Sequence, residues 1–277
     1  MTAPAVTDAH VHVNRFDLMR PPARALIEQN PTFPLMQRMV ADPAAFLEHL
    51  DQEGVRRAWL INYCAKQVMG YGWEVNAWAA EYAATDPSRL VATGGYDPRL
   101  DGDGERAAEA LRDLGIRAVK VHPVHQAISA GDASFFPFYA ALERLRMPVI
   151  VHTGTSRFPG ADNSFADPLG VVPVLERFPR LPVILAHGGR PDRTKEALAL
   201  LRRFPNAWLE ISGCPPHRLV DYFGDLAQLA SRTLWGSDWP GPGVPGMRKN
   251  VDAFLALGLG SKERGMVLHA NADSLIP

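Results

Sequence analysis

Residues 148–154 have the sequence PVIVHTG and residues 182–189 have the sequence PVILAHGG, so one pattern occurs twice. In each copy, a short run of Val, Ile and Leu ends at a histidine that turn-forming residues follow. Short, nearly continuous apolar runs are typical of strands in parallel sheets whose two faces are both covered. The pattern therefore predicts two strands of an α/β protein, each with a histidine at its carboxyl end.

Six further runs of the same kind occur along the chain, and amphipathic segments that suit helices separate them. These runs are AVTDAHVHV (5–13), RRAWLINY (56–63), RLVATGGY (89–96), IRAVKVH (116–122), AWLEISG (207–213) and RTLWGSD (232–238). From the second run onward, the residues that end the runs are spaced by 33, 26, 30, 35, 25 and 26 residues. That spacing is one βα unit repeated, which requires a parallel sheet, and eight strands favour a closed (β/α)8 TIM barrel. An open doubly wound sheet is the alternative, which the lack of a Gly-rich phosphate loop after the first strand disfavours.

The interval from His12 to Tyr63 is longer, at 51 residues, which predicts an insertion near 14–41 in the loop after strand 1. This segment contains four prolines and several large apolar residues. Loops at the carboxyl ends of barrel strands often cover the substrate, so one interpretation is a lid or a substrate wall. The other interpretation is a structural or oligomer-contact segment, which leaves a homo-oligomer open. We expect one domain over 1–277.

Composition narrows the classes of partner. The 277 residues include 29 Lys plus Arg and 30 Asp plus Glu, a net charge of -1, so no basic field attracts nucleic acid or an anionic membrane. We expect a small-molecule substrate. The N-terminal MTAPAVTDAHVHV does not resemble a signal peptide, and no apolar stretch approaches the roughly 20 residues that span a bilayer. Cys64 and Cys214 form no metal-binding pair or disulfide framework, so a cytoplasmic protein is expected.

His10 and His12 are two residues apart on a predicted strand, so both imidazoles point to the same face and can reach one interior point. A buried imidazole needs a partner, and a metal supplies one; a pair of hydrogen-bonded core histidines is the alternative. His152, His187 and Asp238 each end an apolar run, which places them on the catalytic face of a barrel. Three imidazoles and a carboxylate suit zinc, and the carboxylate also suits manganese or iron.

Five motifs extend this pattern over nearly the whole chain. They are DAHVH (8–12), VKVHP (119–123), VHTG (151–154), AHGG (186–189) and GSDWP (236–240). In this order they resemble the amidohydrolase superfamily, and more narrowly the amidohydrolase-related branch that includes aminocarboxymuconate semialdehyde decarboxylase and several lactonases. The resemblance implies that one divalent metal, most simply zinc, is held by His10, His12, His152 and Asp238. It implies that His187 transfers a proton or polarises the substrate beside the metal, although in some relatives the strand-6 histidine itself binds metal.

Lys120 and His122 share a face of strand 4, and we interpret them as groups that bind a substrate anion or support the metal ligands. One alternative is a lysine paired with a carboxylate such as Asp8, and another is a carbamylated lysine that bridges two metals. Arg190 follows AHGG and would grip a carboxylate bidentately, or lie on the surface. Trp239 follows the metal-ligand candidate Asp238 and is predicted to contact the substrate.

The site supports two reactions. Metal-activated water would hydrolyse a small ester, lactone or amide, with Asp238 and His187 as the catalytic residues. The same groups would support non-oxidative decarboxylation of an aromatic or enoic carboxylate, and the fold cannot decide because the family contains both chemistries. The GSDWP motif resembles the lactonase and hydrolase members more closely, so hydrolysis is the prediction and decarboxylation the alternative. A barrel that only binds a ligand is a third interpretation, which the intact set of candidate ligands disfavours.

Overall fold

The structure is a computed structural model that describes residues 4–241, 244 and 246–277, so the first three residues of the N-terminal segment considered above lie outside the described residues. The strands are β1 (Thr7–Val11), β2 (Arg57–Leu60), β3 (Leu90–Gly94), β4 (Ala118–Val121), β5 (Val149–His152), β6 (Val183–Ala186), β7 (Ala207–Glu210) and β8 (Thr233–Leu234). The helices before β5 are α1 (Pro21–Glu28), α2 (Phe33–Ala41), α3 (Pro43–Glu53), α4 (Glu74–Ala83), α5 (Gly104–Leu114), α6 (Pro123–Gln126) and α7 (Phe136–Leu145). Those after it are α8 (Val172–Arg177), α9 (Thr194–Arg203), α10 (Leu219–Phe223), α11 (Leu226–Leu229), α12 (Met247–Leu255), α13 (Ser261–Gly265) and α14 (Asn271–Leu275). Within the described ranges, no helix combines the length and the apolar character that crossing a bilayer requires.

The strands form one parallel sheet in the order β1 to β8, and the sheet closes on itself. Closure comes from backbone hydrogen bonds between β1 and the segment after β8. The amide of Ala9 donates to the Trp235 carbonyl at 3.0 Å, and the amide of Asp238 donates to the His10 carbonyl at 2.9 Å. Eight parallel strands that alternate with helices and close in this way are a (β/α)8 TIM barrel, so the predicted fold is confirmed.

The strands are buried because helices cover the outside of the barrel and side chains fill its interior. Every strand residue except Trp208 is buried, as expected for a parallel sheet between two apolar layers. α5 illustrates the outer ring: Ala107, Ala108 and Leu111 face inward. The Asp103 side chain accepts the amide of Arg106 at the start of α5, and Gly115 ends the helix in a left-handed conformation. The main apolar core therefore lies between the barrel and its helices. The carboxyl ends of the strands lie outside this core, where a site can form.

The last predicted strand, 232–238, is shorter than expected, because β8 includes only Thr233 and Leu234. Beyond Leu234 the chain turns toward the C-terminal segment, where the amide of Trp235 donates to the Val267 carbonyl at 2.9 Å. Gly236 lies so close to the barrel interior that a Cβ atom there would be 2.5 Å from Glu210 Oε1 and 2.7 Å from His10 Cβ. This segment can pass close to the site because Gly236 has no side chain.

The predicted insertion folds into a one-turn helix at Phe16–Leu18 followed by α1 and α2. Its predicted end at residue 41 coincides with the end of α2. The next residue, Asp42, caps α3 by accepting the amide of Ala44 at 3.0 Å, and Pro43 occupies the first helical position. The 14–41 segment is therefore a helical addition between β1 and the first regular barrel helix.

The backbone around Gly95 provides a test of the packing between the loops after β2 and β3. A Cβ atom at 95 would overlap the backbone of Tyr63 and Cys64, which cannot yield as a side chain can. We expect Gly95→Ala to lower the free energy of unfolding by about 3 kcal/mol, the upper end of overpacking costs. Gly72→Ala is the control, since its Cβ would meet only the exposed carboxylate of Glu74. Chemical denaturation measures both, and equal losses would contradict the close approach at Gly95.

Candidate active site

The structure brings the predicted metal-binding and catalytic residues to one end of the barrel. His10 lies in β1, His12 directly follows it, and His152 ends β5. His187 begins the turn after β6, and Asp238 lies on the closing segment after β8. All five line a cavity of about 490 Å³ at the carboxyl ends of the strands, where the catalytic sites of TIM barrels form.

The orientation of His10 is set by Glu210, the last residue of β7. Glu210 Oε2 lies 2.8 Å from His10 Nδ1, and both side chains are buried. The same carboxylate accepts the hydroxyl of Ser212 at 2.8 Å and the backbone amide of Ser212. With Glu210 ionised, His10 carries its proton on Nδ1, so its Nε2 lone pair is free to bind a cation.

His187 is held in the same tautomer by a different acceptor. Its Nδ1 lies 3.0 Å from the carbonyl oxygen of Ser212 and 2.9 Å from the Ser212 hydroxyl. Because a carbonyl only accepts, Nδ1 must carry the proton, and the Nε2 lone pair is left free. Burial, and then the charge of Arg190, hold the pKa of His187 well below its usual range, so the ring is neutral. A neutral His187 in this tautomer accepts a proton or binds a metal; it does not donate a hydrogen bond from Nε2.

The spacing of the free ligand atoms fits a divalent metal. Asp238 Oδ1 lies 3.3 Å from His12 Nε2 and 3.7 Å from His10 Nε2. Two ligand atoms on a tetrahedral zinc are about 3.4 Å apart, given bond lengths of about 2.1 Å. One ligand atom each from His10, His187 and Asp238 also lies within 4.8 Å of the other two. These residues provide imidazole nitrogen and carboxylate oxygen, which suit zinc and manganese.

The geometry of His152 differs from the expectation that it belongs to the ligand set. Its Nε2 lies 3.0 Å from the carbonyl oxygen of Gly154, so that nitrogen carries a proton and only Nδ1 is left as a ligand atom. Its ring stacks on His122 with the centroids 3.9 Å apart. Within the described part of the chain, the structure groups His187 with His10 and Asp238 in its place.

Two of these residues have a strained backbone. His187 and Asp238 have φ values of 65° and 64°, in the left-handed region that residues other than glycine rarely adopt. Each such residue costs of order 1–3 kcal/mol and persists only where its surroundings hold it. Here the strain turns each side chain from the end of its strand into the cavity, so that both meet above His10.

Two cationic side chains, Lys120 and Arg190, also line the cavity floor. Lys120 is 1% exposed, and its ammonium has no hydrogen-bond partner among the described residues. Burial lowers its pKa to about 8 against the opposing charges of Glu210 and Asp238. The alternative pairing with Asp8 is not seen, because Asp8 instead accepts the amides of His10 and Ser237 through Oδ1. Lys120 is therefore a buried donor that faces the cavity with its hydrogen-bonding capacity unused.

Arg190 reaches the same floor from the turn after β6. Its Nη2 lies 3.6 Å from Asp238 Oδ2, and its Nε is buried without a partner in the described ranges. Arg190 therefore lines the cavity, and the alternative of a surface position is not what the structure shows. The guanidinium and the Lys120 ammonium together make this part of the floor positive.

His122 lies between two other imidazoles. Its centroid is 3.6 Å from that of His125 and 3.9 Å from that of His152, and the rings are nearly parallel. Its Nδ1 accepts the backbone amide of His125 at 3.3 Å, so its proton is on Nε2. The Tyr63 hydroxyl in turn contacts His125 Nδ1 at 3.1 Å. Burial holds the pKa of His122 well below its usual range, so a neutral imidazole lines the cavity here.

The outer wall includes residues of the insertion. Apolar residues from 14–41 that line the cavity are Phe16, Met19, Leu26, Ile27 and Met36. Trp239, predicted to contact the substrate, is not among the cavity-lining residues that the structure describes. Its ring instead packs on His49 with the centroids 4.7 Å apart, and it is 4% exposed. Trp239 therefore helps to attach the closing segment to α3.

Glu210 is the functional residue that sequence reasoning missed. The run AWLEISG contains one acidic residue, two positions before the serine that ends the run. Residues two apart share a face, the rule that paired His10 with His12. A single carboxylate in an otherwise apolar strand could therefore have predicted that Glu210 faces the same side as Ser212, toward the site.

Comparison with known proteins assigns the family. A model described as amidohydrolase matches residues 7–277. The chain belongs to the amidohydrolase family. A divalent metal is expected for this family, and the grouping of His10, His187 and Asp238 agrees with that expectation. Among curated proteins, none matches the chain.

Solved structures share the fold of this amidohydrolase at low identity. An uncharacterised TIM-barrel protein from Bordetella bronchiseptica is 24% identical, with a TM-score of 0.76 and 98% of each chain covered. A dihydroxybenzoic acid decarboxylase from Polaromonas, solved with manganese and 2-nitroresorcinol, is 18% identical with a TM-score of 0.71, covering 99% of this chain and 97% of that one. A probable 2-pyrone-4,6-dicarboxylic acid hydrolase from Acinetobacter baumannii, with citric acid bound, is 17% identical with a TM-score of 0.69 and 98% of each chain covered. The fold is thus common to decarboxylases and hydrolases.

Replacement of Glu210 tests whether its carboxylate orders the ligands. Glu210→Gln keeps the shape of the side chain but removes the charge that His10 and Ser212 donate to. We expect the affinity for zinc or manganese to fall about 10- to 100-fold, as for other groups that hold a ligand histidine. Competition with a chelator measures the affinity, and thermal melting checks the fold. Glu143→Gln, on the outside of α7, is the control, and an affinity unchanged in both variants would contradict the role of Glu210.

Proposed function

We propose that this amidohydrolase is a metal-dependent hydrolase of a small lactone, ester or amide. The observation that carries the proposal is the convergence of His10 Nε2, His12 Nε2 and Asp238 Oδ1 beside the free Nε2 of His187. A floor that also contains the cations of Lys120 and Arg190 favours reactions that build negative charge on oxygen. Ester and lactone hydrolysis are of that kind.

The metal would be held by His10, His12 and Asp238, with His187 within reach of the same position. When bound, a divalent metal lowers the pKa of a water from 15.7 to about 7 and so makes hydroxide available at neutral pH. The ligand types favour zinc as the resident ion. Manganese is the second candidate, because a neighbour of the same fold was solved with it.

In the proposed reaction, the water oxygen forms a bond to the carbonyl carbon, and the bond from that carbon to the leaving oxygen or nitrogen breaks. The proton of the water passes to the leaving group, so a lactone and water give a hydroxy acid. Asp238 and His187 are the bases placed to move this proton, since Asp238 has a second oxygen and His187 a free Nε2. The tautomer of His187 favours this proton-transfer role over polarisation of the carbonyl.

Lys120, His122 and Arg190 would bind the negative charge of the substrate or of the product carboxylate. All three offer donors toward the cavity. A carboxylate held by two cations is stabilised as a carboxylate, which raises the barrier to its loss as carbon dioxide. The same cations stabilise the oxyanion that hydrolysis forms. The cations of the floor therefore favour hydrolysis over decarboxylation.

Decarboxylation of an aromatic or enoic carboxylate is the second candidate. It is favoured by several decarboxylases among the structures of the same fold, including the manganese-containing one from Polaromonas. His187 Nε2 would then first accept a proton from water and pass it to the carbon from which carbon dioxide leaves. The carbon–carbon bond breaks, its electron pair remains on the substrate, and the new carbon–hydrogen bond replaces it.

One assay separates the two reactions. Purified protein is supplied with zinc or manganese and offered lactones, esters, and aromatic or enoic carboxylates, while acid release and carbon dioxide are both followed. We expect lactone opening that a chelator abolishes and added metal restores. Carbon dioxide from a carboxylate, with no lactone opening, would replace the proposal with its alternative.

His187→Asn tests the proton-transfer role in the same assay. Loss of a positioned acid–base group lowers the rate by a factor of about 100 to 10,000, and we expect kcat to fall within that range. His217→Asn is the matched control, since His217 is exposed. Full activity of His187→Asn would refute the role given to His187.

The lowered pKa of Lys120 predicts a limb in the pH profile. The protonated ammonium binds an anion, so kcat/KM for an anionic substrate falls as pH rises through about 8, the pKa that burial gives Lys120. A bound divalent cation moves this limb to lower pH. Lys120→Met removes the limb and lowers kcat/KM about 10- to 100-fold, the value of one hydrogen bond to a charged group. An uncharged ester is the control substrate, and a limb that persists in Lys120→Met would exclude Lys120 as its source.

A further inference from the structure

The cavity has two chemically different parts. Its floor is made of imidazoles, Asp238, Lys120 and Arg190 at the ends of the strands. Much of its apolar lining comes from the insertion residues Phe16, Met19, Leu26, Ile27 and Met36 together with Met69 in the loop after β2. The polar residues of the mouth, 155–157, follow β5. An apolar wall therefore continues outward from a charged floor.

The apolar wall is held across the mouth by hydrogen bonds near both of its ends. The amide of Arg20 donates to the Met69 carbonyl at 2.9 Å, in the loop after β2. The side-chain amide of Asn30 donates to the Pro240 carbonyl at 2.7 Å, on the segment after β8. Phe16 and Phe33 pack edge to face with their centroids 5.1 Å apart. These contacts tie the insertion to two different barrel loops, so its apolar side chains form a built surface of the cavity.

The size and composition of the cavity indicate what this wall contacts. A cavity of about 490 Å³ lies within the range of about 300 to 1,000 Å³ that holds drug-sized ligands, so a bare four-carbon lactone would leave much of it unfilled. Three methionines contribute to the wall, and thioether side chains adapt to ligands of varied shape. Apolar area that a ligand removes from water favours binding in proportion to that area.

We propose that the substrate is amphipathic: its reacting carbonyl and any anionic group meet the floor, and an alkyl or aryl arm extends along the insertion. This inference rests on the proposed function for the identity of the reacting group. It assigns the 14–41 segment to substrate specificity. The decarboxylase alternative would take an acid with the same kind of arm.

Binding of straight-chain carboxylates, which do not react, tests the arm without requiring catalysis. Calorimetry on the metal-loaded protein compares butanoate, hexanoate, octanoate and decanoate below their micelle concentrations. We expect the affinity to rise about two- to fourfold for each methylene that the wall covers. The heat capacity change should become more negative along the series, as burial of apolar area requires.

Variants locate the effect on the insertion. Leu26→Ser, combined with Ile27→Ser, should flatten the dependence on chain length and weaken decanoate binding far more than butanoate binding. Leu35→Ser is the matched control, since Leu35 is a partly buried insertion residue that packs on the core and is not among the described cavity-lining residues. It should retain the wild-type dependence.

The outcomes separate this inference from the proposed function. An affinity that does not depend on chain length, no binding by any member of the series, or an unchanged dependence in the double variant would each overturn the apolar arm. A steep dependence with no lactone or ester opened would support the arm and reject the hydrolase. Lactone opening with no preference for longer arms would do the reverse.

Discussion

Glu210 accepts hydrogen bonds from His10 Nδ1 and from the Ser212 hydroxyl, and Ser212 in turn contacts His187 Nδ1. A single buried carboxylate thus sets the proton position on one imidazole directly and supports a second through a serine. Without such acceptors, each ring could place its proton on either nitrogen, and the lone pairs would not meet at one point. Burial raises the pKa of Glu210 to about 7, and its contacts with Ser212 and the charge of Lys120 oppose that shift. The ionised form of Glu210 therefore depends in part on Ser212, the residue that its carboxylate also holds in place.

Much of the fold could be predicted from the sequence because parallel strands buried on both faces leave long apolar runs that end abruptly. His152 and His187 marked the ends of β5 and β6. The regular spacing between successive strand ends predicted the repeated βα units of a barrel. The same rule placed His10, His12 and Asp238 on one face of the molecule. Strand 8 was overestimated because WGSD has the composition of a strand end, whereas its backbone leaves β7 to pair with β1. That difference depends on which neighbour a segment contacts, and local sequence does not encode it.

The parts of the site that were not predicted depend on side-chain rotation and on contacts between distant residues. His152 has the position expected of a ligand, but its Nε2 is bonded to Gly154 and its ring stacks on His122. Trp239 lies beside Asp238 in the chain, yet its ring packs on His49 of α3. Glu210 is 200 residues from His10, so its partner follows only from the closed barrel. Spacing predicts which residues meet, and packing decides which atoms of those residues are free.

The strained backbone at His187 and Asp238 explains why a rigid barrel is required beneath this arrangement. Each left-handed residue is disfavoured by of order 1–3 kcal/mol, and the surrounding hydrogen bonds must offset that cost. The amide of Asp238 is held by the His10 carbonyl in the closing ladder, and the ring of His187 is held by Ser212. Closure of the sheet and the geometry of the site therefore depend on the same hydrogen bonds. The neighbours of this fold include a decarboxylase and a probable hydrolase. In this chain, the side chains above the barrel include the cations of the floor and the apolar residues of 14–41.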